Sequence, residues 1–374
     1  MLCVCSAFET LSAVLSDLIQ SFQTGSKSFV RLIKIFGTCW KGENVSESGT
    51  IRALGLCSGG LDSILSAVVL REQGIDVHWV AFETPFFSAD KARQASENIG
   101  VPLIVREITS QYLQMMRSPA VRFGKNMNPC MDCHTLMFRL AGGIMTEQGF
   151  NFLFSGEVLG QRPMSQNRSS LRYVEKHSGY DGYIVRPLSA RCLPETMVEQ
   201  EGWVDRRRLL DISGRSRKPQ LQLAQQFGIT DFPSPAGGCL LTDKIFSRRL
   251  GDLFDHQENI TENDLVLLKV GRHLRLDPRT KLVVGRTHQD NERISRSIDP
   301  QADMVLKVDH FPGPLAVIPG GAGEPLIMLA AGICVGYSKA PDNAPASVTV
   351  HAVRRRRQVT VLGISPADCK RYMI

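Results

Sequence analysis

No stretch of this 374-residue sequence approaches the roughly 20 uncharged apolar residues that a membrane span needs. A secretory signal is missing as well: residues 1–22 lack a basic opening, and Glu9 and Asp17 interrupt the apolar stretch. There is one CxxC pair and no second, so a structural zinc, which usually wants four ligands, is poorly served. Internal repeats and long low-complexity segments are lacking too. These absences point to a cytoplasmic chain that does not engage a membrane. Stable disulfides are rare in that compartment, so clustered members of the ten cysteines read as metal-binding or catalytic.

The chain is long enough for two or three domains, and 43% hydrophobic residues permit packed cores. Its formal net charge of +7 favours a polyanionic partner without demanding one. Residues 1–50 read as a poorly structured N-terminal extension, with a short amphipathic helix over Phe8–Phe22 as the alternative. From Ile51 the pattern sharpens. Short apolar runs (IRALGLC, DVHWVAFE, PLIVREI, NFLFSGE) alternate with helical stretches that end at Gly74 and Gly100. That alternation predicts an α/β domain over 51–243 with a Rossmann-like parallel sheet. Residues 244–374 hold apolar runs separated by Gly and Pro and one helix at Glu324–Ser338. They read as a smaller α+β domain with an antiparallel sheet.

Ser58-Gly-Gly-Leu-Asp-Ser63 falls between a strand and a helix. Such a turn aims backbone N–H groups and the helix dipole at an anion. Gly59 and Gly60 let the backbone come close to a phosphate, and Ser58 and Ser63 add hydroxyls. Asp62 suits an anion site only if it holds Mg²⁺ or caps the helix. A tight turn with no ligand is the plainer alternative. The Lys of a Walker loop and the GxGxxG spacing of a dinucleotide turn are both missing.

SGGLDS resembles the PP-loop of ATP pyrophosphatases, which cleave ATP between the α- and β-phosphates and adenylate their substrate. That resemblance implies ATP and Mg²⁺ as cofactors. It also implies nucleotide contacts at Phe82, near the end of the second strand, and at Gly156 in FLFSGE; either could instead be core or turn.

Cys130 and Cys133 form the CxxC in NPCMDCH, and Cys239 follows in a Gly/Pro-rich turn. Three thiolates suit a cluster with one open iron, or a redox pair acting with a third sulfur. The segments also resemble PP-loop tRNA thiolases, especially the tRNA 2-thiouridine synthases. Asn128, Pro129 and Cys133 match one element of that family, and Lys218, Pro219 and Cys239 another. By this resemblance Cys239 carries a persulfide and Cys133 releases the sulfur. Asn128 would approach the target base, and Gly160–Gln166 would contact tRNA. Cys130 stands where many 2-thiouridine synthases have Asp. Three cysteines are instead the pattern of the iron–sulfur-dependent tRNA thiolases, where three thiolates hold a 4Fe–4S cluster. Both sulfur routes stay open.

Residues 271–362 resemble the NFACT-R RNA-binding domain, through Val284-Gly285-Arg286 with Asn291, Asp303, Pro312-Gly313, Ala330-Ala331 and Tyr337-Ser338-Lys339. Arg272, His273, Arg275, Arg279, Lys281, Arg286 and Arg354–Arg357 add positive charge, which binds phosphate backbones without base specificity. The RNA contacts expected are Asn128, Gln166, Arg286, Lys339, Arg354 and Arg355. A solvated, aggregation-blocking strand edge is the bland alternative for the arginine run.

Together these features imply a tRNA-uridine sulfurtransferase that turns ATP into AMP and pyrophosphate, served by tRNA and by a sulfur-donor protein or sulfide. The rivals are a PP-loop ligase or amidotransferase acting on a small molecule, and a non-catalytic RNA-binding factor with a vestigial loop.

Overall fold

The computed structural model describes residues 50–233, 239–352 and 355–374. The expected N-terminal extension and its alternative helix lie outside them. The parallel sheet forms as the alternating pattern predicts. Its strands are β1 (Arg52–Leu56), β2 (Asp76–Glu83), β3 (Leu103–Glu107), β4 (Phe152–Ser155) and β5 (Ile184–Val185), in the order β3-β2-β1-β4-β5. All four pairings are parallel. The strand order reverses between β1 and β4, and the crevice beyond their carboxyl ends is where open α/β sheets take ligands.

Successive strand residues point to opposite faces, and two cores result. Ala53, Trp79, Phe152 and Phe154 enter one core; Leu54, Val80 and Leu153 enter the other. The first face is covered by α1 (Leu61–Arg71) and α2 (Asp90–Ile99). The second takes α3 (Thr109–Arg117), α4 (Cys130–Gln148) and α5 (Arg168–Ser178). Helix α6 (Lys218–Gln226) begins with Pro219 in its first turn, where a missing N–H costs nothing.

Two further helices, α7 (Lys244–His256) and α8 (Glu262–Leu267), extend the second core. Phe246, Leu250 and Leu253 of α7, with Leu265 of α8 and Leu268 just beyond it, pack in one cluster with Phe86, Tyr112 and Met116. The second core of the parallel sheet therefore continues through Leu268. Both N-termini are capped by side chains, Asp243 on Phe246 N and Thr261 on Asp264 N.

Strands β6 (Arg272–Arg275), β7 (Lys281–Val284), β8 (Met304–Val308), β9 (Leu315–Ile318), β10 (Ala346–Ala352) and β11 (Arg355–Val361) form the expected antiparallel sheet, ordered β11-β10-β8-β9-β7-β6. Helix α9 (His288–Arg296) follows β7. Helix α10 (Glu324–Gly336) lays Ile327, Ala330, Ala331 and Cys334 into the core of this sheet. The sequence reading found α10 and overlooked α3, α5, α7, α8 and α9. Their apolar positions recur at helical spacing, as at Phe246, Leu250 and Leu253, but short polar helices read easily as loops.

Candidate nucleotide and sulfur site

The SGGLDS turn leaves β1 at its carboxyl end and enters α1 at Leu61, with Gly60 as an extended N-cap. Gly59 has φ +70°, and a Cβ there would stand 2.2 Å from the Lys91 backbone. Only glycine fits. Ser63 Oγ donates to Gly60 O at 2.7 Å, closing the turn. Gly156, just past β4, presses on the same turn: a Cβ would meet the Asp62 and Ser63 backbone at 2.5 Å. Ser58 is exposed and Ser63 buried. Phe82 lies inside the second core at 6% exposure, packed among apolar side chains.

Asp62 is held from the side. Gln161 Nε2 donates to its Oδ2 at 2.8 Å, and Gln220 Nε2 donates to Gln161 Oε1 at 3.3 Å. A carboxylate can only accept, so Gln161 must turn its amide nitrogen to Asp62 and its oxygen to Gln220. The polarity runs on, and it leaves Gln220 Oε1 buried without a partner. Asp62 Oδ1 is likewise buried and unpartnered. Sequence reading missed both glutamines, which have no local signature.

Helix α4 begins at Cys130, so the CxxC occupies its first turn. Asn128 Nδ2 reaches Cys130 Sγ at 3.4 Å. Cys133 packs against the core cluster that holds the buried Tyr112; burial first, then the neighbouring Cys239 and Cys130 sulfurs, pushes its thiol up to about 12 against the lowering influence of the Tyr112 phenol. Cys239 is exposed as a residue, yet its sulfur is enclosed enough to raise the thiol, against the hydrogen bond from Leu241 N and the charge of Arg162. All three sulfurs lie within electrostatic reach of Tyr112. The remaining described cysteines stand apart: burial takes Cys57 to about 11 and Cys334 to about 12, and Cys192 and Cys369 sit singly.

Next to Cys133, His134 Nδ1 meets Glu157 Oε1 at 2.8 Å. Glu157 also accepts from Arg186 Nε at 3.0 Å and Ser155 Oγ at 3.1 Å. Burial alone would raise this carboxyl, but Arg186 and His134 outweigh it and hold it at about 2. Glu157 follows Gly156, so the cysteine helix and the phosphate turn are joined through two adjacent residues.

Among the described residues no group of three or more His, Cys, Asp or Glu side chains is arranged to hold a metal ion. Cys130, Cys133 and Cys239 therefore do not form a centre for a single metal ion. Residues 234–238, just before Cys239, lie outside the described residues.

Of the expected RNA contacts, Arg286, Lys339 and Arg355 are exposed, Asn128 is half-buried, and Gln166 is 7% exposed with its Oε1 unpartnered. Arg354 lies outside the described residues. Arg355, Arg356 and Arg357 line the edge strand β11, and Arg357 pairs with Glu324. Asn291 ties α9 to the start of β9, donating to Gly313 O at 3.4 Å and accepting from Leu315 N at 2.9 Å. Arg272 stacks over the Tyr337 ring at 4.4 Å.

Residues 48–191 match the family described as thiamine biosynthesis protein (ThiI), and residues 271–373 match the NFACT protein RNA binding domain. A probable tRNA sulfurtransferase of Oceanobacillus iheyensis is 26% identical over 44% of this chain and 41% of its own length. A tRNA sulfurtransferase of Desulfurococcus amylolyticus is 30% identical over 37% of this chain and 29% of its own length. The chain thus spans less than half the length of these curated relatives. A solved structure, a predicted subunit of tRNA methyltransferase from Methanocaldococcus jannaschii, covers 47% of this chain and 76% of its own at 15% identity and a TM-score of 0.31. The chain therefore joins a segment similar to the ThiI family to a segment similar to the NFACT RNA-binding domain.

Proposed function

We propose that the chain is an ATP-dependent tRNA-uridine sulfurtransferase, with residues 51–243 carrying the chemistry and 244–374 engaging RNA. The supporting observation is a juxtaposition: His134, next to Cys133, bonds Glu157 at 2.8 Å, and Glu157 follows Gly156, which presses on the SGGLDS turn. The nucleotide turn and the cysteine helix thus meet at one short segment.

Ser58, Gly59, Gly60 and Ser63 bind the ATP phosphates through backbone N–H groups and hydroxyls. Asp62 Oδ1, buried and lacking a donor, suits a phosphate-bound Mg²⁺, which would offset charge developing on the phosphates. A uracil carbonyl oxygen attacks the α-phosphorus. The O–P bond forms, the bond to the β-phosphate oxygen breaks, and pyrophosphate leaves. The terminal sulfur of a Cys239 persulfide then attacks the activated ring carbon, and AMP departs with the former carbonyl oxygen. The Cys133 thiol attacks the Cys239 sulfur and breaks its bond to the transferred sulfur, its proton passing to the uracil ring nitrogen as the thiocarbonyl forms. A thiocarbonyl and a Cys133–Cys239 disulfide remain, and a dithiol reductant must reopen that disulfide. The outer sulfur of the Cys239 persulfide comes from a donor protein that already carries a persulfide and gives up its terminal sulfur to the Cys239 thiol, leaving the donor as a thiol, and Asn128 stands beside Cys130 where the base would arrive.

Nucleoside mass spectrometry of tRNA from cells lacking the protein tests this reading. Loss of one thiolated uridine is expected, and an unchanged thionucleoside profile would overturn it. ATP turnover to AMP separates the rivals. Turnover stimulated by tRNA supports thiolation. Turnover indifferent to RNA indicates a small-molecule ligase, and none indicates an RNA-binding factor.

A further inference from the structure

The basic run from Arg272 to Lys281 looks like a surface patch in the sequence, but much of it turns inward. His273 is fully buried and Lys281 is 8% exposed. Arg275 is committed to Asp252 through two hydrogen bonds, at 3.0 and 2.6 Å. Lys281 Nζ has only the same carboxylate, at 3.7 Å, beyond hydrogen-bond distance. His256 stands 3.6 Å from it as well. One carboxylate therefore serves two full cations and a histidine.

These groups border a cavity of about 60 Å³ between α7, α8 and the β6–β7 hairpin. His256, Arg275, Arg279 and Lys281 line it, and apolar side chains close part of the wall. Its lining carboxylate, Asp264, is already engaged by Thr261 and Gln257. The space exceeds several-fold the roughly 10–15 Å³ that admits one water. A nearly buried ammonium with no hydrogen-bond acceptor is costly unless something supplies one.

We propose that this cavity binds a phosphate-type oxyanion, held by Lys281 and Arg279 and closed by Arg275 and His256. Lys281 supplies charge from the floor and Arg279 reaches it from the exposed hairpin turn. The same chemistry serves a free inorganic anion or a phosphate of an RNA backbone. An RNA phosphate seated here would link the antiparallel sheet to α7 and α8, which pack on the second core of the parallel sheet. The site does not depend on the thiolation chemistry.

The probe is inorganic phosphate, titrated into the full-length protein in a phosphate-free buffer at fixed ionic strength. Saturable thermal stabilisation by phosphate, with none from chloride, is expected. Arg279→Ser should weaken phosphate at least tenfold; Arg279 is exposed and its turn is held by Asp277 capping the backbone, so the fold should survive. Lys281→Met should abolish the response. A parallel measurement of tRNA affinity against salt distinguishes the sources. A backbone phosphate predicts that Arg279→Ser weakens tRNA about tenfold and lowers the log–log salt slope by about one. A free anion predicts unchanged tRNA affinity with phosphate binding lost. No saturable phosphate response in the native protein, or an equal response to chloride, would overturn the proposal.

Discussion

Gln161 donates to Asp62 Oδ2 at 2.8 Å, joining residues 99 positions apart and fixing which carboxylate oxygen remains free in the phosphate turn. Replacing Gln161 by Leu removes a hydrogen bond to a charged group, an effect of about 1.5–3 kcal/mol. The KM for ATP should therefore rise roughly tenfold or more, with kcat changed less. Steady-state kinetics with saturating tRNA would check it, and an unaltered KM would dismiss the orienting role.

Gly156 leaves no room for a side chain against the turn. Gly156→Ala would drive a methyl into the Asp62–Ser63 backbone, 2.5 Å away. ATP affinity is expected to fall at least tenfold while far-UV circular dichroism stays native. Isothermal titration with a non-hydrolysable ATP analogue would decide, and native affinity would mean that the turn yields without consequence.

Glu157 makes a stability prediction with a definite sign. Its carboxyl sits at about 2 in the folded chain against an ordinary 4.5. The contribution is full above pH 4.5 and is lost as pH falls toward 2. The two values correspond to about 3 kcal/mol. Urea midpoints measured from pH 6 to pH 2.5 should decline for the native chain. Glu157→Gln, which strands Arg186, should be destabilised by about 3–5 kcal/mol at pH 7 and should decline less. Parallel declines in both proteins would refute the assignment.

The Cys133 thiol, raised to about 12 from 9.0, is almost wholly protonated at pH 8. Iodoacetamide should label it roughly a thousandfold more slowly in the native chain than after denaturation, because only the thiolate reacts. Peptide mass spectrometry after timed quenching gives both rates. Labelling as fast as in the unfolded chain would show that the buried sulfur opens freely.

How much of this was legible beforehand follows from the range of each interaction. The phosphate turn is local: strand, glycines, hydroxyls and helix adjoin in sequence, and so do the CxxC and the helix it opens. The Asp62–Gln161–Gln220 chain and the His134–Glu157–Arg186 network have no local pattern, because each partner looks ordinary among its own neighbours. Phe82 and Gln166 show the converse, since their segments matched expected contacts while packing turned both side chains inward. The basic run at 272–281 failed as a surface patch because both faces of its strands are covered: His273 and Leu274 are both buried, as is every residue of Lys281–Val284.

The reach of the parallel sheet's second core to Leu268 sets the smallest piece of this protein worth expressing alone. A chain stopped at residue 243 would strip Phe246, Leu250, Leu253, Leu265 and Leu268 from around Phe86, Tyr112 and Met116. The Tyr112 phenol, which packs in the same cluster as Cys133, would then border solvent. Such a fragment would hold every residue of the phosphate turn and all three gathered cysteines, and would still lack the wall that keeps their sulfurs dry.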